Sequence, residues 1–248
     1  MANVYYAFRG ALGRRYNEAV SFSSDEFTGI SFDGDYYNSG ENSHPTLHML
    51  TPDDPTIGWY GDLTSGITNC NKAILEFGGE DEPLAAPALT MRAFYTFILM
   101  DCYGATPILD HLAEEDEVIA RSPRPEVAAF IEADLLKALP NLSQESNSVT
   151  YGKPNYWMAK ALLAKLYLNW GVYSCEDVTT YTPSTANPKL NDCIAICDEI
   201  MASGLFDLSD SYREKFWPEN GAHIKDFIYA MPYDRITAQG MTYARFRT

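Results

Sequence analysis

Apolar residues recur every three or four positions along most of this chain, the period that lines one face of an α-helix. A first run covers residues 4–20 through Tyr5, Phe8, Leu12, Tyr16 and Val20. A second extends from Pro55 to Phe77 through Ile57, Tyr60, Leu63, Ile67, Cys70 and Ile74. Asp53 and Asp54 precede its first turn, where negative charge and proline are favoured, and Gly78-Gly79 stops it. A third, over residues 88–101, holds Leu89, Ala93, Phe94, Phe97, Ile98 and Leu99, leaves the helix at Gly104 and runs extended into Pro107. After Ser122-Pro123-Arg124-Pro125, the stripe Val127, Ile131, Leu135 and Leu139 predicts a further helix that Pro140 ends. The next helix starts at Pro154, is expected to close at Gly171, and is apolar on most sides, which places it centrally. The last starts at Asn187-Pro188, has Leu190, Ile194, Cys197 and Met201 as its expected buried face, and ends at Gly204.

Between these runs the chain turns polar. Residues 21–52 are dominated by Ser, Asp, Gly, Asn and His, with Tyr36, Tyr37, His44 and His48 among them. Such a length without periodicity reads as a long structured loop, a place where binding residues collect. Residues 205–248 are irregular, with Phe206, Leu208, Tyr212, Phe216 and Trp217 and an extended or strand-like stretch at 226–231. The fold class expected is all-α, built of tetratricopeptide-like helical hairpins with long structured loops. The expected organisation is one domain over 1–248: an N-terminal helix and aromatic loop at 1–54, the helical hairpins at 55–204, and the irregular tail at 205–248.

Composition narrows the function. With 248 residues and 46% hydrophobic side chains, the chain can bury a core and is not a disordered segment. Its 34 acidic residues outnumber 18 Lys and Arg, so its surface repels phosphate backbones and nucleic acid is set aside as a partner. Such a surface does not oppose neutral sugars. Five cysteines, none in a CxxC pair, read as small buried residues rather than a disulfide framework or a metal site. No stretch reads as a membrane span or a leader peptide.

No serine elbow, HExxH or phosphate loop is present, so no catalytic residue, metal site or cofactor is expected. His44 and His48, four apart beside Glu41, read as hydrogen-bonding surface groups. The better signal is aromatic. Tyr36, Tyr37, Trp59 and Tyr60, with Asp33, Asp35, Asn38 and Asn42, suit a neutral sugar: flat rings cover the apolar faces of a pyranose while amides and carboxylates meet its hydroxyls. Trp59 reads equally well as packed core, and Tyr60, on the apolar stripe, reads as core.

Residues 91–109, MRAFYTFILMDCYGATPIL, closely resemble the signature of the SusD/RagB family: an aromatic-rich helix opened by Arg-Ala, then Tyr-Gly and a proline followed by aliphatics. The stretches Ser122–Pro140, Tyr151–Gly171 and Ala195–Leu208 resemble its following segments in order, as do Ser24-Asp25-Glu26 and Asn69-Cys70-Asn71. The resemblance implies a non-enzymatic glycan-binding protein, lipid-anchored at the outer membrane of Bacteroidota. Such a protein captures oligosaccharide or polysaccharide for a SusC-like TonB-dependent transporter. The alternative is a tetratricopeptide-type scaffold that binds protein only. The chain resembles the N-terminal part of longer family members, and the lipid-bearing cysteine expected near their mature N-terminus is not among these residues. The family's ligand region falls on Tyr36, Tyr37, Asn38, His48 and Trp59. Arg92 of the signature is expected to pair with an acidic neighbour and fix a hairpin.

Overall fold

The computed structural model describes residues 1–13, 15–24, 26–27, 43–182, 186–208, 211–234 and 236. Its helices are α1 (Ala2–Tyr5), α2 (Arg9–Leu12), α3 (Arg15–Ser23), α4 (His44–Leu47), α5 (Tyr60–Glu76), α6 (Ala86–Tyr103), α7 (Arg124–Ala138), α8 (Tyr156–Leu168), α9 (Trp170–Tyr173) and α10 (Leu190–Ala202). Short 3₁₀ turns occur at Pro55–Ile57, Pro83–Ala85, Leu139–Asn141, Val178–Thr180 and Glu214–Phe216. No strand is present among the described residues; one isolated antiparallel bridge joins Thr106 and Ser122. The chain gathers into two compact units. The first comprises 1–6 and 66–232, the second 7–65 and 233–248. The sequence division at 54/55 and 204/205 follows residue character; compactness follows a different, discontinuous path.

In the first unit α6 packs on α7, α7 on α8, and α8 on α10, a series of helices each seated on its neighbour. Helix α6 is the centre. Leu89, Met91, Ala93, Tyr95, Leu99 and Met100 are all fully covered. The stretch 83–103 is long and apolar enough to cross a membrane, contrary to the expectation that no such stretch exists; 78% of its apolar window is buried, as in a core helix. The helix leaves at Gly104, whose φ of 77° and ψ of −120° place it where only glycine is unstrained. Pro123, extended, then sets up the first turn of α7, which carries Pro125.

Arg92 lies inside this core with an exposure of 1%. Its Nε and Nη2 donate to the two oxygens of Asp134, both at 2.7 Å. Nη2 also reaches Glu80 at 2.6 Å, and Nη1 reaches Asn71 Oδ1 at 3.0 Å and the Asp110 carbonyl at 3.2 Å. The expected acidic partner is therefore present, and it ties α6 to α7. Burial works against the charge, but Asp134 and Glu80 outweigh it and hold the guanidinium protonated. Asn71 extends the network by donating to the carbonyls of Leu109 and His111. His111, exposed, is bracketed by Asp110 at 2.5 Å and Glu117 at 2.9 Å.

Several expectations need correcting. The run 4–20 is three short helices rather than one, broken around Phe8 and Gly13. Gly171 does not end a helix: α8 ends at Leu168, and Gly171 sits buried within α9, where an added Cβ would lie 3.5 Å from the Tyr181 ring. Residues 226–231 are bends and irregular backbone, not a strand. Helix α10 buries Cys193 and Ile196, leaving Leu190, Ile194, Cys197 and Met201 exposed. Both stripes are apolar, and the packing of α8 decides between them: Cys193 donates to the Ala164 carbonyl, and Glu199 takes Tyr156 Oη at 2.5 Å and Lys160 at 2.7 Å. Of the five cysteines only Cys70 and Cys193 are buried. Burial pushes the Cys70 thiol well above its ordinary range, so it remains a protonated packing group.

Candidate functional site

The candidate site lies in the second unit, where α3 packs against α4 and against the Pro55–Ile57 turn that leads into α5. Asp54 organises this corner. It is extended at the N-cap of the turn, and its Oδ1 accepts from the Thr56 N–H at 2.9 Å and the Thr56 hydroxyl at 2.6 Å. Its Oδ2 lies 2.5 Å from His44 Nδ1, which joins α4 to the turn. Burial pushes the Asp54 carboxyl up, but the Thr56 and His44 bonds outweigh it and hold the group below the usual carboxylate range. Sequence reasoning took Asp54 for a helix-end charge and paired His44 with His48. The Asx-type spacing Asp54-Pro55-Thr56 was the available signal for the turn.

His48 closes α4 in the left-handed region, with φ of 53°. Its N–H reaches the Pro45 carbonyl and the Met49 N–H reaches His44, so two terminal carbonyls of a very short helix are satisfied. The side chains of Leu47, His48, Met49 and Leu50 all face solvent there. Tyr36, Tyr37 and Asn38 lie outside the described residues, as do Asp33, Asp35 and Asn42. Among the described residues no group of three His, Cys, Asp or Glu side chains could hold a metal ion.

At the start of α5 the structure decides between the two readings of Trp59 and overturns the one for Tyr60. Trp59 is 1% exposed, and its ring packs edge-on against Tyr16, 5.8 Å between centroids, which in turn packs edge-on against Phe8 at 5.4 Å. It offers no open face for stacking and serves as the core of this corner. Tyr60, expected inside, is 41% exposed. The buried stripe Leu63, Ile67, Cys70 and Ile74 runs back to Trp59, four residues before Leu63, whose N–H bonds the Trp59 carbonyl, so Tyr60 falls beside the stripe. The 3₁₀ turn at Pro55–Ile57 precedes this first helical bond.

The first unit contains a polar groove between Asn147, Tyr151, Gly152, Asn155 and Tyr229. Its enclosed volume of about 20 Å³ holds one water and is too small for a sugar ring. His48 and Tyr60 are each exposed in the second unit. An exposed ring can cover one face of a sugar, and an imidazole can bond its hydroxyls.

Comparison with known proteins fits this architecture. No curated protein matches the chain, but many solved structures do. A SusD-like protein from Bacteroides fragilis superposes with a TM-score of 0.67 at 21% identity, covering 90% of this chain and 43% of its own. A structure determined with a xylogluco-oligosaccharide gives 0.69 at 18% identity, covering 94% and 44%. Surface glycan-binding protein A from Bacteroides thetaiotaomicron, in complex with laminarihexaose, gives 0.62 at 15% identity, covering 89% and 49%. At such identities the likeness is one of fold, and the chain spans less than half the length of each. The family model described as "Starch-binding associating with outer membrane" matches residues 17–168, well over half of the sequence. The chain belongs to the SusD-like family.

Proposed function

We propose that this chain is the helical part of a glycan-capture protein that hands oligosaccharides to a SusC-like TonB-dependent transporter at the outer membrane, where it is held by a lipid anchor. Membership of the SusD-like family carries this reading, supported by the likeness in fold to structures determined with laminarihexaose and a xylogluco-oligosaccharide. It binds rather than cleaves. In the corner at the start of α5 the carboxylate of Asp54 is buried, and both its oxygens are engaged by Thr56 and His44, which leaves it a structural group. The proposed ligand surface in the second unit uses Tyr36, Tyr37, Asn38 and His48. Trp59, packed against Tyr16, serves as support rather than contact.

Isothermal titration with laminarihexaose, xyloglucan oligosaccharides and maltooligosaccharides tests the reading. Saturable heat with at least one of them is expected, weakened by Tyr36→Ala/Tyr37→Ala. A folded protein that binds none of them, yet still associates with a co-expressed transporter, would favour the protein-only scaffold instead.

A further inference from the structure

The His44 ring is held from behind by a buried carboxylate. Both oxygens of Asp54 are engaged: Oδ1 accepts from the Thr56 N–H and hydroxyl, and Oδ2 faces His44 Nδ1 at 2.5 Å. Despite its burial, the Thr56 and His44 bonds hold this carboxyl below its ordinary range, so it is ionised near neutral pH and can only accept. The proton of the His44 contact therefore sits on Nδ1. In the neutral imidazole the second nitrogen, Nε2, is then an acceptor. A carboxylate behind a histidine fixes tautomer and ring orientation together in this way.

The opposite edge of the ring is open. The His44 side chain is 37% exposed and that of Asp54 only 1%. Water thus reaches the edge that carries Nε2 and Cδ2, not the Nδ1 edge turned to Asp54. Among the described residues Nε2 has no hydrogen-bonding partner. The seat beneath it is firm: His44 opens α4, Pro45 after it is buried, and α4 and the Pro55–Ile57 turn both pack on α3. Tying α4 to that turn uses Nδ1 alone, so the packing leaves Nε2 without a task.

An acceptor placed in this way is selective. It pairs with a sugar hydroxyl, which can donate. It disfavours a carboxylate, which only accepts and also meets the Asp54 charge behind the ring. We propose that His44 Nε2 accepts a hydrogen bond from a glycan hydroxyl, which makes His44 a ligand-contacting residue that favours uncharged over uronate-bearing sugars. The inference rests on the glycan-binding reading above and adds to it a residue that the expected ligand set did not include.

Asparagine keeps a donor near the position of Nδ1 and has nothing at Nε2, so His44→Asn separates the tie to Asp54 from the ligand contact. Parent and variant are titrated by calorimetry at about pH 8, above the ordinary histidine range. The probes are laminarihexaose, a xyloglucan oligosaccharide, maltohexaose and an oligogalacturonate. The variant should keep its thermal unfolding transition and bind the neutral sugar about five- to tenfold more weakly. The parent should bind the oligogalacturonate at least about tenfold more weakly than the neutral sugar. Long-range nitrogen–proton NMR correlation on the intact chain, with the His44 signals assigned by their loss in the variant, should show the proton on Nδ1. It should also show the Nε2 signal shifting saturably with the sugar. A neutral-sugar affinity unchanged in His44→Asn, a proton on Nε2, or an Nε2 signal that the bound sugar leaves unmoved overturns the contact while the glycan-binding reading stands. Oligogalacturonate bound as tightly as the neutral sugars overturns it too. If His44→Asn unfolds, the nitrogen signals of the parent decide. Absence of binding across the four probes overturns the contact and the reading together.

Discussion

Arg92 and Asp134 meet through two parallel hydrogen bonds of 2.7 Å, with their side chains 1% and 5% exposed. Removing one partner strands a buried charge. Asp134→Asn is expected to cost roughly 3–5 kcal/mol, read from the shift of the urea unfolding transition. Glu80 touches the same guanidinium but is 36% exposed, so water replaces it; Glu80→Gln should cost about 1 kcal/mol or less. Equal losses from the two substitutions would show that the network is not centred on Asp134.

Gly104 and Gly10 offer a contrast in backbone demand. Gly104 has a positive φ, and an added Cβ would sit 3.2 Å from Arg124 Nη2. Gly104→Ala should destabilise by about 1–3 kcal/mol. Gly10 lies within α2 with nothing within 4 Å of an added Cβ, so Gly10→Ala should stabilise by up to about 1 kcal/mol. Thermal melts of the two variants check the pair, and a destabilised Gly10→Ala would contradict the helix there.

Trp59 and Tyr60 separate packing from contact. Trp59→Ala opens a cavity beside Tyr16 and should cost about 3–5 kcal/mol, seen as early unfolding of the second unit by hydrogen exchange. Tyr60→Ala should change stability by about 0.5 kcal/mol. It changes sugar affinity only if the start of α5 borders the ligand, which calorimetry on that variant reports.

The His111 loop should respond to pH from both sides. Hydrogen bonds to Asp110 and Glu117 raise the His111 pKa above its ordinary 6.5. Its contribution is therefore complete below 6.5 and is lost as pH rises through the raised folded value. The Glu114 N–H and His111 hold Glu117 below its ordinary 4.5, so its contribution is complete above 4.5 and is lost as pH falls through the lowered value. Between 4.5 and 6.5 both are present. An NMR titration of the His111 ring giving a midpoint at or below 6.5 would contradict the bracketed geometry.

Where the sequence carried long unbroken periods with proline or glycine at their ends, it predicted the helices well. α6 and α7 are of this kind, with Gly104 and Pro125 marking their limits. It failed where two local rules competed. At the start of α5 a stripe drawn from Pro55 through Ile57 picks Tyr60, whereas the helix, which begins after a 3₁₀ turn, buries Trp59 on the line of Leu63 and Ile67. On α10 two apolar stripes coexist, and only the position of α8 selects Cys193 and Ile196. Gly171 looked like a stop signal because packing against Tyr181 leaves no trace in one sequence. For the candidate site, the turn signal Asp54-Pro55-Thr56 was present in the sequence but was read as a helix-end charge. The His44–Asp54 bond was not legible there, because it joins residues ten apart through a fold of the chain.

The bond from Tyr95 Oη to the Val4 carbonyl, 2.6 Å long, joins positions 91 residues apart, and Tyr6 reaches Gly152 across 146. The first six residues thus belong to a unit whose remaining chain starts at residue 66. Asn187, by comparison, holds the end of α8 across a span of only 20 residues. Closing the loop of 91 residues rather than that of 20 costs about 1.3 kcal/mol more chain entropy. Helices α8 and α10 can therefore pair early in folding, whereas the N-terminal strip docks onto a surface already assembled. In pulse-labelling hydrogen exchange, amides 4–6 should gain protection after those of α8, making this strip a late latch on the folding pathway.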